Sequence, residues 1–114
     1  MDRQPRQGEI YFWPGVNENH PMGDEDHRWV VVSSDRFNRY SEYVLACPIT
    51  SYPATDLDIL VKPTPHNGLT HDSSMLPRMI TPILKRELDV VKRRLSFDIV
   101  QETVSRLQMI VEAK

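Results

Sequence analysis

Two short apolar runs on either side of a polar turn, within residues 27–51, constrain the fold of this chain more than any other feature. The runs cover residues 29–32 and 43–49 and are rich in aliphatic and aromatic side chains. Segments of this length and composition are typical of β-strands. Arg28 enters the first run and Thr50 follows the second. If the two strands pair, Arg28 and Thr50 meet at one rim of a sheet.

Several further strands are predicted along the chain. Residues 8–13 show an alternating pattern and are rich in Ile, Tyr, Phe and Trp. They predict an opening strand that ends at Pro14. Asn67 and Gly68 predict a turn, because both residues tolerate positive φ. Pro48 predicts a sheet edge or a bulge, because proline cannot donate to the ladder. Residues 14–27 are predicted to form a polar loop, and residues 35–40 a short turn or helical turn. Residues 57–61 predict another strand, and residues 74–83 an irregular strand.

The last element is predicted to be a helix. Ser96 is a typical N-cap, and Asp98 lies in the first turn, where the helix dipole favours a carboxylate. Apolar residues follow at helical spacing, at Phe97, Val100, Val104, Leu107 and Val111. Many short strands and one closing helix predict a mainly β fold with helices (α+β): a strongly bent antiparallel sheet or small barrel.

Length and composition limit the class of protein. The 114 residues fit one domain, residues 1–114, with 39% hydrophobic and 26% charged residues. No apolar stretch approaches the roughly 18 residues of a membrane span, and the polar opening is not a signal peptide. Cys47 is the only cysteine and lies among strand residues, so we expect a buried thiol. These features predict a cytoplasmic protein without disulfides.

Charge and residue spacing exclude several kinds of site. A net charge of −2 argues against indiscriminate nucleic-acid binding, although it allows a local site. The four histidines have no metal-ligand spacing, and no glycine-rich phosphate loop occurs, so the sequence predicts neither a metal nor a cofactor. Basic residues concentrate in one later stretch, at Lys85, Arg86, Lys92, Arg93 and Arg94.

Five motifs in order resemble the MazF/PemK family of bacterial toxin endoribonucleases. That family typically shows a GEIY or GEVW strand, an R-P-V-V-V-x-S strand, an N/D-R-F-N turn, an A-P-I-T-S strand end and a G-G-L-x-x-D-S turn. In this chain these motifs read Gly8-Glu9-Ile10-Tyr11, residues 28–33, Asp35-Arg36-Phe37-Asn38, Cys47-Pro48-Ile49-Thr50-Ser51, and Asn67-Gly68-Leu69 to Asp72-Ser73. The resemblance covers roughly residues 7–112 and becomes weaker after Ser74.

The resemblance implies a fold, an activity and partners. Family members have a small SH3-like barrel with helices and act as homodimers. They cleave single-stranded RNA without a metal, and an antitoxin protein neutralises them. In such a reaction a 2′-hydroxyl attacks the adjacent phosphorus, so the site must move protons and stabilise a negative phosphorane.

Residue chemistry selects the candidates for these roles. Arg28 is the best electrostatic candidate, because a guanidinium keeps its charge and grips two phosphate oxygens. The resemblance places Thr50 beside it in catalysis, and His20 is the preferred proton shuttle. The predicted RNA-binding residues are Ser51, Tyr52, His27 and Arg78. The alternative for each is an ordinary polar residue at a strand end or in a loop.

The chain also departs from the family pattern. Trp29 takes the place of the usual proline after the arginine, and Arg78-Met79-Ile80-Thr81-Pro82 takes the place of a D-Q-I-R-T stretch that carries a second site arginine. Two alternatives therefore stay open. One is a gyrase-binding toxin of the CcdB type, whose R-M-M-T strand this stretch faintly resembles. The other is a catalytically silent barrel that serves as an interaction module.

Overall fold

The computed structural model describes residues 4–13, 28–51 and 55–112. These residues form seven strands and two helices: β1 Glu9–Phe12, β2 Arg28–Val31, α1 Asp35–Tyr40, β3 Tyr43–Thr50, β4 Ile59–Val61, β5 Ser73–Met75, β6 Thr81–Leu84, β7 Asp89–Arg94 and α2 Phe97–Ile110. Two 3₁₀ turns, Pro77–Met79 and Lys85–Glu87, flank β6. Neither α1 nor α2 combines the length and the apolar character that crossing a bilayer requires.

All strand pairs in the described residues are antiparallel, in the order β4-β5-β3-β2-β1-β7, with β6 also paired to β3. The long strand β3 therefore lies in the middle of the sheet. It pairs with β2 on one side, and on the other side with β6 along its first half and β5 along its last residues. This topology pairs β3 with three other strands.

The prediction of a sheet edge or a bulge at Pro48 was wrong, since β3 lies inside the sheet and pairs with β2 in continuous register. Pro48 lies inside the sheet opposite Trp29, at the point where the second partner of β3 changes from β6 to β5. Its carbonyl accepts a hydrogen bond from Leu76 N, so its nitrogen faces the same junction. Because no strand requires a donor at that junction, the missing N–H of proline costs the ladder nothing.

The sheet curls until residues near its two ends meet. The turn that follows β4 reaches β7, where Arg94 N donates to His66 O. Gly68, at φ 71°, lies beneath the side chain of Arg93. This closure agrees with the small barrel-type sheet predicted from the motifs.

Apolar side chains pack on both faces of the sheet. The larger cluster contains Ile10, Val30, Cys47, Ile49 and Met75, and α2 packs against it through Ile99, Val100 and Leu107. The smaller cluster is built around Trp29, Tyr11 and Val44. The predicted helix stripe was wrong at its ends, since Phe97 is 71% and Val111 77% exposed. The docking face is instead centred on Val100 and the fully buried Thr103.

Two further differences concern local structure. Strand β7 was not predicted, and it pairs with β1 through a register shift between Ile10 and Tyr11. The irregular strand predicted at residues 74–83 is two strands, β5 and β6, separated by the 3₁₀ turn Pro77–Met79.

Candidate functional site

The predicted pairing of the two motif strands is present. Arg28, the first residue of β2, lies opposite Ile49 of β3, one residue before Thr50. On its other side Arg28 lies opposite Phe12 of β1. The two candidate residues therefore occupy the same end of the sheet, as the sequence predicted. We call this end, defined by Arg28, Thr50, Ser51 and Ser74, the rim.

Hydroxyl groups collect on the β3 side of the rim. Thr50 is only 6% exposed and lies opposite Ser74 of β5, which is also buried. Ser51 follows and is exposed. The preceding residue of β5, Ser73, donates from Oγ to His71 O. Sequence reasoning did not propose Ser74 as a site residue, although the Asp72-Ser73 motif ends directly before it.

Arg28 supplies positive charge at the rim. It is half-buried, and the ion pairs between described residues include Arg78–Asp58 and Arg106–Glu102. Within that part of the chain, no carboxylate neutralises Arg28. Strand alternation assigns Arg28 to the face of Ile49 and Thr50 to the face of Pro48. Arg28 therefore needs its long side chain to reach around the beginning of β2 toward the Thr50 hydroxyl.

Three predicted site residues, His20, His27 and Tyr52, lie outside the described residues, as does the whole predicted polar loop at residues 14–27. Two other histidines are described, and His66 and His71 are both exposed. Among the described residues, no three His, Cys, Asp or Glu side chains come together in an arrangement that could hold a metal ion.

Arg78 lies in the 3₁₀ turn Pro77–Met79, which follows the rim strand β5. Its Nε donates to Asp58 Oδ1 at 3.2 Å, and its Nη2 lies 3.5 Å from Oδ2. Its side chain is 39% exposed, whereas the Asp58 side chain is completely buried. Sequence reasoning did not identify Asp58, which no local motif marks and which is twenty residues from its partner.

The basic stretch is distributed over several elements. Lys85 Nζ donates to Asn38 O and Gln4 Oε1, and so links Gln4 to α1. Arg94 lies opposite Glu9 in the β1–β7 pair. Arg86, Arg93 and Arg94 have exposed side chains.

Cys47 has no place in this chemistry. It is buried within β3, and this burial raises the pKa of its thiol from 9.0 to about 12. A thiol that stays protonated at neutral pH is a poor nucleophile. The prediction of a buried thiol is confirmed.

Comparison with known families identifies a family to which this chain is similar. Residues 6–111 match a family described as PemK-like, MazF-like toxin of type II toxin-antitoxin system. No curated protein matches the chain in sequence.

Similar solved structures share the fold at low sequence identity. A MazF from Deinococcus radiodurans is 16% identical, with a TM-score of 0.79 over 98% of this chain and 100% of that chain. An endoribonuclease from a mycobacterial species, solved in complex with its cognate antitoxin, is 19% identical, with a TM-score of 0.76 over 96% of this chain and 97% of that chain. The Mycobacterium tuberculosis toxin MazF-mt6 is 12% identical, with a TM-score of 0.69 over 93% of this chain and 98% of that chain. These structures confirm the predicted fold class.

Proposed function

Because this chain belongs to the PemK-like, MazF-like toxin family, we propose that it is an endoribonuclease that cleaves single-stranded RNA at the rim. One observation carries the proposal: the β2–β3 register brings Arg28 and Thr50 to the same end of the sheet. The positive charge of Arg28, which no described carboxylate neutralises, supports it further.

The chemistry proposed is a metal-independent transesterification. The 2′-hydroxyl of one nucleotide attacks the adjacent phosphorus, the bond to the 5′-oxygen breaks, and the products carry a 2′,3′-cyclic phosphate and a 5′-hydroxyl. Arg28 stabilises the negative phosphorane, because a guanidinium can donate to two of its oxygens. Thr50 orients the phosphate through its hydroxyl. His20 moves a proton, a role for which imidazole is suited near neutral pH.

RNA contacts around this centre are assigned to Ser51, Tyr52, His27 and Arg78. Ser51 offers an exposed hydroxyl directly after Thr50. Tyr52 offers a ring on which a base can stack. Arg78 offers the side of its guanidinium that does not face Asp58. None of these contacts requires a cofactor.

The proposed partners are a second copy of this chain and an antitoxin. A structural neighbour is an endoribonuclease with its cognate antitoxin, which supports the antitoxin as a partner. We propose that an acidic, disordered antitoxin segment covers the rim and that the exposed Arg86, Arg93 and Arg94 attract it. The proposed location of the protein is the cytoplasm.

The test is cleavage of a long single-stranded RNA by the purified protein in excess EDTA, with analysis of the product ends. Arg28→Ala should lower the cleavage rate by about a hundredfold or more, as expected when a donor to a developing anion is lost. Thr50→Ala should lower it by about tenfold, which is the value of one hydrogen bond to a charged group. Cyclic-phosphate ends should appear with the wild type.

Arg39→Ala is the matched control, because Arg39 is an exposed arginine on α1 and lies in the connection at the other end of the β2–β3 pair. It should cleave like the wild type. A folded protein that makes no cuts in any RNA would contradict the proposal and direct attention to protein partners such as gyrase. Cleavage that EDTA abolishes would contradict its metal independence.

A further inference from the structure

A buried carboxylate organises the turn that leads from the rim into β4. Asp58 Oδ2 accepts hydrogen bonds from Thr55 N at 2.9 Å and Thr55 Oγ1 at 3.0 Å. A backbone hydrogen bond also closes this turn, since Asp58 N donates to Thr55 O at 3.0 Å. Thr55 and Asp58 thus hold each other through side chain and backbone together.

The same carboxylate also holds Arg78. Its two oxygens face Nε and Nη2 of the guanidinium, at 3.2 and 3.5 Å. A carboxylate with no exposed side-chain surface needs such donors, because an unpaired buried charge is strongly unfavourable. With Nε and Nη2 engaged on one side, the guanidinium plane is fixed and its Nη1 group faces away from Asp58. A preorganised arginine loses less conformational freedom when it binds a second anion.

The turn lies close to the rim along the chain. Only residues 52–54 separate Ser51 from Thr55. An extended chain covers at most about 14 Å over those four steps, so Thr55 lies within about that distance of Ser51. A second arginine, Arg106 of α2, donates to Asp56 O and holds the same turn from the helix side.

We propose that Asp58 is a positioning residue for RNA. It orients the Arg78 guanidinium toward a backbone phosphate, and it fixes the turn that follows the rim. Arg78 supplies positive charge at a position where the family pattern has an acid. The acid is instead supplied by Asp58, the residue directly before β4. This inference rests on the proposed function and adds to it a residue that touches no RNA itself.

The direction of one mutational effect separates this role from simple electrostatics. Asp58→Asn removes a negative charge, so charge alone predicts tighter binding to RNA. A positioning role predicts weaker binding, because the neutral amide holds Arg78 less firmly. The measurement is fluorescence anisotropy of a labelled, random-sequence 2′-O-methyl RNA, which lacks the nucleophile and therefore stays intact during binding.

We expect Asp58→Asn to raise the dissociation constant by about tenfold, the value of one charge-assisted contact. Arg78→Gln should do the same and lower the slope of log K against log salt by about 0.7, as one lost phosphate contact does for a single strand. The double variant should be no weaker than Arg78→Gln alone, since the two residues act as one unit. Arg39→Gln, which removes an exposed arginine from α1, should leave RNA affinity and salt slope nearly unchanged.

Each outcome has a distinct meaning. If folded Asp58→Asn binds RNA as tightly as the wild type or more tightly, the positioning role is overturned while the ribonuclease proposal stands. If Asp58→Asn weakens binding in a background where Arg78 is already Gln, the effect does not pass through Arg78 and the inference is again wrong. If the wild type neither binds nor cleaves RNA, the proposed function fails and this inference fails with it. Circular dichroism confirms that each variant is folded.

Discussion

At the residue scale, buried polar groups in this protein are explained by their partners. Asn38 is completely buried within α1, and its amide donates to Pro5 O at 3.2 Å and Ser33 O at 3.1 Å. Its Oδ1 accepts from Ser33 Oγ. Both the nitrogen and the oxygen of this amide therefore have hydrogen-bond partners. The amide links α1 to Pro5 and to Ser33, which follows β2, and this gives the Asp35-Arg36-Phe37-Asn38 motif a structural role. Phe37 of the same motif is 42% exposed.

The buried thiol gives a prediction about pH. Burial raises the pKa of Cys47 from 9.0 to about 12, so above pH 9 the unfolded chain loses this proton while the folded protein keeps it. The free energy of unfolding should therefore fall with rising pH between these values, by up to about 1.4 kcal/mol per pH unit from this group. Below the unfolded pKa the thiol contributes no pH dependence.

Urea unfolding of the wild type and of Cys47→Ala, at about pH 8 and about pH 10, isolates the contribution of the thiol. The variant should show the smaller loss of stability between the two conditions. A native thiol that reacts with a disulfide reagent as fast as the unfolded chain would contradict the burial of Cys47.

At the element scale, α2 shows how a local signal and a packing surface act together. Ser96 is its N-cap, with φ −65° and ψ 155°, and its Oγ accepts from Ile99 N. Within the helix, Thr103 Oγ1 donates to Ile99 O at 2.8 Å, so a hydroxyl lies in the core without an unsatisfied donor. The cap determines where the helix begins, and Val100 and Thr103 determine which face meets the sheet.

Removal of the cap should destabilise the protein without changing the fold. Ser96→Ala should lower the free energy of unfolding by about 1 kcal/mol, because a first-turn N–H loses its acceptor. Thermal unfolding followed by circular dichroism measures the loss. Ser105→Ala, an exposed position on the same helix, is the matched control and should be neutral or slightly stabilising. Equal losses in both variants would show that the cap has no special role.

At the scale of the whole molecule, the curled shape of the sheet depends on the turn between β4 and β5. Asn67 is buried, and its Oδ1 accepts from Thr64 N and Leu69 N at 3.0 Å each. Gly68 follows with positive φ, and His66 O accepts from Arg94 N. The turn thus links strands that are at opposite ends of the sheet order, β4 and β7.

Gly68→Ala tests this closure. At φ 71° a Cβ strains the backbone by about 1–2 kcal/mol, and the same Cβ would lie 2.5 Å from Arg93 Nε, which has to move. We expect the free energy of unfolding to fall by about that amount in chemical denaturation. Gly68→Asn should cost less, because asparagine tolerates the left-handed region. A loss as large in the asparagine variant would indicate that the contact with Arg93, rather than the backbone, sets the cost.

Local patterns in the sequence determined much of this protein. The apolar runs predicted β2 and β3, the Ser96 cap predicted the beginning of α2, and the ordered motifs predicted the fold class and the rim that holds Arg28 and Thr50. These features depend on residues within a few positions of one another or on motif order, which a linear pattern records.

The tertiary structure alone decided the rest. The polar segment Asp89–Arg94 becomes a strand because β1, far away in sequence, offers it an edge. Pro48 is accepted inside the sheet because two different strands meet beside it. The Asp58–Arg78 pair exists because β4 and the 3₁₀ turn Pro77–Met79 come together in space. Strand pairing and buried ion pairs are non-local interactions, whose partners are chosen by packing and desolvation in the folded chain rather than by sequence spacing.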